Sequence, residues 1–151
     1  MRLKDLPKLI VAIGISELAG IIGSFFTVSS IPNWYATVTK PVLNPPSWIF
    51  GPVWTTLYAL MGIAAFLVWK QGLEKKEVKI ALSIFGIQLF LNVIWSIMFF
   101  GLQSPGLALI NIVFLWSAIV WTMIVFYKIS KPAMYLLIPY ILWVSFATYL
   151  N

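Results

Sequence analysis

The residues of this chain that are able to recognise a ligand are chiefly aromatic. The stretch from Trp34 to Tyr58, WYATVTKPVLNPPSWIFGPVWTTLY, holds Trp34, Trp48 and Trp54 together with Pro41, Pro45, Pro46 and Pro52. Phe50, Trp54 and Tyr58 recur at i, i+4 and i+8, which is one face of a helix. Such a face beside a kink is a wall for a flat ligand; the same rings also serve as plain core and interface anchors. Ionisable chemistry is scarce. The sequence has no Cys and no His. That excludes disulfides, Cys/His zinc or copper sites, His- or Cys-ligated haem, and Cys–His or Ser–His–Asp catalysis. The carboxylates are Asp5, Glu17, Glu74 and Glu77. All but Glu17 stand beside basic residues in expected loops, so no paired-carboxylate acid/base site forms. No glycine-rich phosphate loop is present.

The elements that must position these rings follow from composition. The 151 residues are 62% hydrophobic and 9% charged, where a soluble domain is about one quarter charged. Apolar segments close to the ~20 residues needed to cross a bilayer recur along the chain. The expectation is an all-α integral membrane protein: one transmembrane domain, 1–151, of five spans at about 9–28, 47–69, 80–100, 105–127 and 132–150. The positive start before the first span can open a signal peptide. That run is long for one, holds Glu17 and lacks a small-x-small cleavage site, so it is read as a retained helix. Its Ala12, Ser16, Ala19, Gly20 and Gly23 form a small-residue face that lets another helix approach closely, a spacing also found at dimer interfaces.

Residues 29–45 make a connection longer than the roughly 2–8 residues usual between helices, and with its own rings it reads as a lid. Pro45-Pro46 suits a helix start, with Asn44 or Ser47 as cap, and Pro52 should kink the second helix near Gly51. Lys70–Lys79 is a charged turn leading into the third helix. Gly101–Ser104 is a tight break before Pro105, Pro132 opens the fifth span, and Pro139 should bend it.

Cations set an orientation. The N-terminus, second loop and fourth loop share one side and carry Arg2, Lys4, Lys8, Lys70, Lys75, Lys76, Lys79, Lys128 and Lys131, against Lys40 alone on the other. The positive-inside rule then puts the N-terminus in the cytoplasm, the C-terminus outside, and the Trp34–Pro46 lid away from the cytoplasm. The net charge of +6 is accounted for by these loops. It points to anionic membrane lipid as partner and not to nucleic acid.

Polar residues inside spans come next. Gln88, Asn92, Trp95 and Phe99 share a face of the third helix, and Tyr140, Trp143, Ala147 and Leu150 a face of the fifth. Asn92 and Asn111 should face the bundle interior, where they tie helices together or point at a ligand. Glu17 at membrane depth is a functional hypothesis by default. It is either a proton- and cation-binding residue, as in small multidrug transporters, or a protonated Glu near an interface.

The chain resembles the translocator protein family, also called the tryptophan-rich sensory proteins or peripheral-type benzodiazepine receptors. The resemblance covers nearly the whole chain. It rests on Trp34-Tyr35, Lys40-Pro41, Pro45-Pro46, Trp48, Pro52-Val53-Trp54, Leu57-Tyr58 with Met61-Gly62, and Asn92 with Trp95. It continues through Phe99-Phe100-Gly101, Pro139-Tyr140, Trp143, Phe146-Ala147-Thr148 and Leu150-Asn151. The resemblance implies five transmembrane helices with the first loop folded as a lid over a pocket between them. It implies that this pocket takes tetrapyrroles such as protoporphyrin IX and haem, as ligands and not as required cofactors. Carried over, the ligand-binding residues are Tyr35, Pro45, Phe50, Trp54, Tyr58, Asn92, Trp95, Trp143, Ala147 and Leu150. The family also implies homodimers and, in animal members, sterol binding. Photo-oxidative porphyrin breakdown in some bacterial members would make Trp54 and Trp143 catalytic.

Departures from the family matter. The chain stops at Asn151, where animal members continue into a sterol motif. Tyr149 has no Lys or Arg after it, which argues against sterol binding there; Val125-Phe126-Tyr127 with Lys131 fits only the loose form of that motif. Val42 and Asn44 flank Leu43, and Val93 follows Asn92, where relatives often carry Trp, so fewer rings are expected around the ligand. Haem would be held by stacking and apolar contact, since no imidazole or thiolate exists to ligate its iron. Three functional classes stand: a binding, sensing or transport protein for tetrapyrroles, a light- and oxygen-dependent porphyrin-degrading enzyme, and a proton-coupled exporter using Glu17.

Overall fold

A bilayer core offers the backbone no hydrogen-bond partner, so an apolar chain that enters it must satisfy every N–H and C=O within its own segments. The computed structural model describes residues 2–30 and 49–150 and, within them, side chains other than those of 26–30, 50 and 150. A 3-10 turn, Leu3–Asp5, leads into α1 (Leu6–Ser30); α2 spans Phe50–Trp69 and α3 Lys76–Ser96, which continues through one π turn, Ile97–Gly101. Then come α4 (Pro105–Ile129), α5 (Lys131–Leu136) and α6 (Ile138–Leu150). No strand occurs among the described residues. Five helical stretches are long and apolar enough to cross a membrane, with α5 and α6 together making the fifth. The expected all-α five-helix bundle is what the chain forms.

Local chemistry explains the breaks. Pro105 sits in the first turn of α4 behind Ser104, whose Oγ accepts from the Leu107 N–H at 3.3 Å, and Pro132 opens α5 behind Ser130, whose Oγ accepts from the Ala133 N–H at 3.4 Å. Proline needs no N–H partner there, and the serines satisfy amides the helix leaves open. The bend expected at Pro139 is present as the break at Leu137 between α5 and α6. Pro52 is the third residue of α2 as described; the turn before it, on which the kink expected near Gly51 depends, lies outside the described residues. The proposed start at Pro46 and the caps at Asn44 and Ser47 lie outside the described residues. Helix α3 begins at Lys76, before the expected Ile80, with Glu77 in its first turn. Apolar counting finds where a helix enters lipid, not where it begins.

The first helix packs along α2, and α3 along α4. The small-residue face of α1 is what permits the first of these. Ser16 is fully buried and its hydroxyl donates to the Tyr58 carbonyl at 2.7 Å. A Cβ on Gly20 would lie 2.6 Å from the Tyr58 ring, and one on Gly62 would lie 2.5 Å from the Ile13 Cα. The face that also resembles a dimer seam is therefore engaged within the chain. Between α3 and α4, Phe85 and Phe126 stack at 5.9 Å, and the Asn111 amide donates to the Leu91 carbonyl at 3.0 Å. Of its two expected roles, Asn111 takes that of interhelical tie. At one end of the bundle the Lys8 ammonium lies 5.9 Å from the Trp69 ring centre, which brings the basic N-terminus beside the Lys70 turn.

Candidate functional site

Three helices contribute rings and polar groups to one place. From α2 come Trp54, half-buried, and Tyr58, buried; from α3 come Gln88 and Asn92, both buried; from α6 come Tyr140 and Ala147, buried, and Trp143, half-buried. The 3.6-residue period puts each set on one helix face. The rings meet. Trp54 lies 5.7 Å from Tyr58, 6.4 Å from Tyr140 and 6.5 Å from Trp143, the last at an interplanar angle of 88°. Trp143 in turn contacts Phe146 at 5.5 Å. Trp95 belongs to a neighbouring cluster on the π turn, stacked on Phe99 at 5.2 Å and edge-on to Phe100 at 6.0 Å.

Edge-to-face contact between Trp54 and Trp143 has a plain geometric consequence. Two plates that sandwich a macrocycle must be parallel and separated by it; these rings are perpendicular and touching. They form a corner and not a slot.

Behind the rings runs a continuous chain of buried polar groups. The Tyr58 hydroxyl donates to Asn92 Oδ1. Asn92 Nδ2 donates to the Tyr140 hydroxyl oxygen at 2.8 Å, and Tyr140 donates to Gln88 Oε1 at 2.7 Å. Gln88 Nε2 then reaches the Met61 sulfur at 4.0 Å. Each group needs a partner, because an unsatisfied phenol or amide at membrane depth is costly. Asn92 thus has both ends of its amide engaged and ties α2, α3 and α6. The site residues expected from sequence did not include Gln88 and Tyr140. The available signal was their place on the same helix faces as Asn92 and Trp143, together with the requirement that Asn92 find partners.

Glu17 is half-buried on α1, one residue beyond Ser16, which bonds the Tyr58 carbonyl. No group of three or more carboxylates, His or Cys that could hold a metal ion occurs among the described residues. Tyr35 and Pro45, and the side chains of Phe50 and Leu150, lie outside the described residues, as does the Trp34–Pro46 lid; Ser29 and Ser30, expected in the first connection, belong to α1.

Residues 12–151 match the family model described as TspO/MBR. This chain belongs to the TspO/MBR family. It is 48% identical over 148 residues to the Tryptophan-rich protein TspO of Chlorobaculum tepidum, covering 98% of this chain and 94% of that one. The Tryptophan-rich protein TspO of Archaeoglobus fulgidus is 44% identical over 148 residues, 97% of this chain and 94% of its own. The Translocator protein of Bos taurus is 36% identical over 149 residues, 96% of this chain and 88% of its own. Membership and five membrane-length helices together make this TspO/MBR member an integral, multi-pass membrane protein.

Proposed function

We propose that this TspO/MBR protein binds a tetrapyrrole, such as protoporphyrin IX or haem, among α2, α3 and α6, in the service of sensing, transport or homeostasis. The observation that supports this reading is the convergence of Trp54 and Trp143 at 6.5 Å over the buried chain from Tyr58 to Gln88. Clefts that take flat ligands are mostly apolar and aromatic with a few fixed polar groups, and this wall has that composition. One relative carries the name Translocator protein and another the name Tryptophan-rich sensory protein; both names accord with a protein that senses or moves a ligand. In this reading Tyr35, Pro45, Phe50 and Leu150 complete the enclosure, the N-terminus is cytoplasmic by the positive-inside rule, and the lid covers the pocket from the other side.

The test is titration of the purified protein with protoporphyrin IX, followed by tryptophan fluorescence. Trp54→Phe and Trp143→Phe should each weaken binding by roughly 1 kcal/mol, about fivefold, the usual worth of one aromatic contact. Unchanged affinity in both variants overturns the proposal. A second reading, breakdown of bound porphyrin by light and oxygen, draws on the same indole contact, which gives an oxidised Trp54 a neighbouring ring with which to exchange an electron. Illumination of the porphyrin complex distinguishes it: equal product from wild type and Trp54→Phe removes Trp54 from any such chemistry.

A further inference from the structure

Away from this site, on the outer face of the bundle, α4 and the broken fifth span enclose a groove of ≈ 480 Å³. Val120, Met123, Ile124 and Tyr127 line it from α4, Met134 from α5 and Ile141 from α6. Along it α4 runs as one helix, while the opposing span is interrupted at Leu137. The walls are apolar, and Ile124 and Tyr127 are exposed. The two methionines are the most adaptable of apolar side chains. The groove has one charged lining residue, Lys128, at the basic turn. Lys131 holds its ammonium 5.7 Å from the centre of the Tyr127 ring, so a second cation stands beside the groove.

We propose that this groove is a specific seat for one anionic phospholipid, with an acyl chain along Met123, Ile124 and Met134 and the phosphate at Lys128 and Lys131. Charge complementarity selects the occupant. An uncharged chain would satisfy the apolar walls but bring no counter-charge to Lys128 or to Lys131, whose ammonium has only the Tyr127 ring beside it. A free phosphate would satisfy the ammonium groups but leave the walls unfilled. Neither lysine belongs to the ring site, so the seat is independent of tetrapyrrole binding.

Native mass spectrometry of the detergent-solubilised protein tests this, with phosphatidylglycerol and phosphatidylcholine of the same acyl chains as probes. The wild type should retain a single phosphatidylglycerol in preference to phosphatidylcholine. Lys128→Gln should lower retention of phosphatidylglycerol about fivefold, the worth of roughly 1 kcal/mol per lysine near a lipid surface. Ile124→Trp, which fills the groove, should abolish retention of either lipid, whereas Lys76→Gln, at a basic position away from the groove, should leave it unchanged. Equal retention of the two lipids by the wild type overturns the proposal without reference to any variant. So does undiminished phosphatidylglycerol retention in Lys128→Gln or in Ile124→Trp.

Discussion

Asn92 carries more of this structure than its single amide suggests. It accepts from Tyr58 and donates to Tyr140, so it joins α2, α3 and α6 at one point. Interhelical hydrogen bonds in membranes average only ~0.6 kcal/mol and reach ~1.7, yet removing this one residue strands the buried Tyr58 hydroxyl and takes from Tyr140 the bond it accepts, leaving Tyr140 its bond to Gln88. Asn92→Leu should therefore cost about 1–2 kcal/mol and lower the thermal unfolding midpoint in detergent. A midpoint equal to wild type would show that the phenols find other partners. Ala147, buried on α6 one turn beyond Trp143, acts by being small. Ala147→Thr should crowd the wall and weaken protoporphyrin binding at least about fivefold, by about 1–3 kcal/mol if the site cannot relax; an unchanged titration would count against a ligand there. At this scale the sequence was partly legible. That Asn92 must face inward follows from the cost of an amide in lipid. Which hydroxyls it meets does not, because Tyr58 and Tyr140 lie 34 and 48 residues away and their helices are placed by packing.

The elements are set by glycines and prolines used for different ends. Gly62 lets α1 lie against α2, since a Cβ there would fall 2.5 Å from the Ile13 Cα, a backbone atom that cannot swing aside. Gly86, exposed in α3, would meet nothing within 4 Å. The two glycines should respond oppositely to the same change. Gly62→Ala should destabilise the bundle by about 1–3 kcal/mol through overpacking, whereas Gly86→Ala should be neutral or gain up to about 1 kcal/mol from helix propensity. Thermal unfolding of both variants, side by side, checks this; equal responses would refute the close α1–α2 approach. Small-residue spacing in α1 was visible in the sequence, but spacing does not say whether the neighbour is another helix of the same chain or a second copy. The proline signals at 105, 132 and 139 were readable because a missing N–H is a local fact. The early start of α3 was not, because Lys76 and Glu77 extend the helix beyond its apolar segment.

At the scale of the whole molecule, hydropathy alone was sufficient for the five-span bundle, since only helices satisfy a lipid-immersed backbone from within. The sidedness rests on the lysines and Arg2. With no native cysteine, single cysteines can report it without background. A cysteine at Leu73, in the α2–α3 turn, should be protected from a membrane-impermeant thiol reagent in intact cells, and one at Leu102, in the α3–α4 turn, should react. The reverse pattern would invert the topology and with it the side on which a lid could close. The groove at the basic turn was not legible. It depends on how α4 packs against the broken fifth span, which no residue type announces.

Tyr58 links the smallest scale to the largest. Its backbone carbonyl holds Ser16, its ring lies against Gly20, and its hydroxyl ends on Asn92. The residue works as a strut braced at both ends. A force that shifts the first helix, whether from bilayer thickness, tension or a protein pressed against it, is transmitted to the hydroxyl that anchors the aromatic corner.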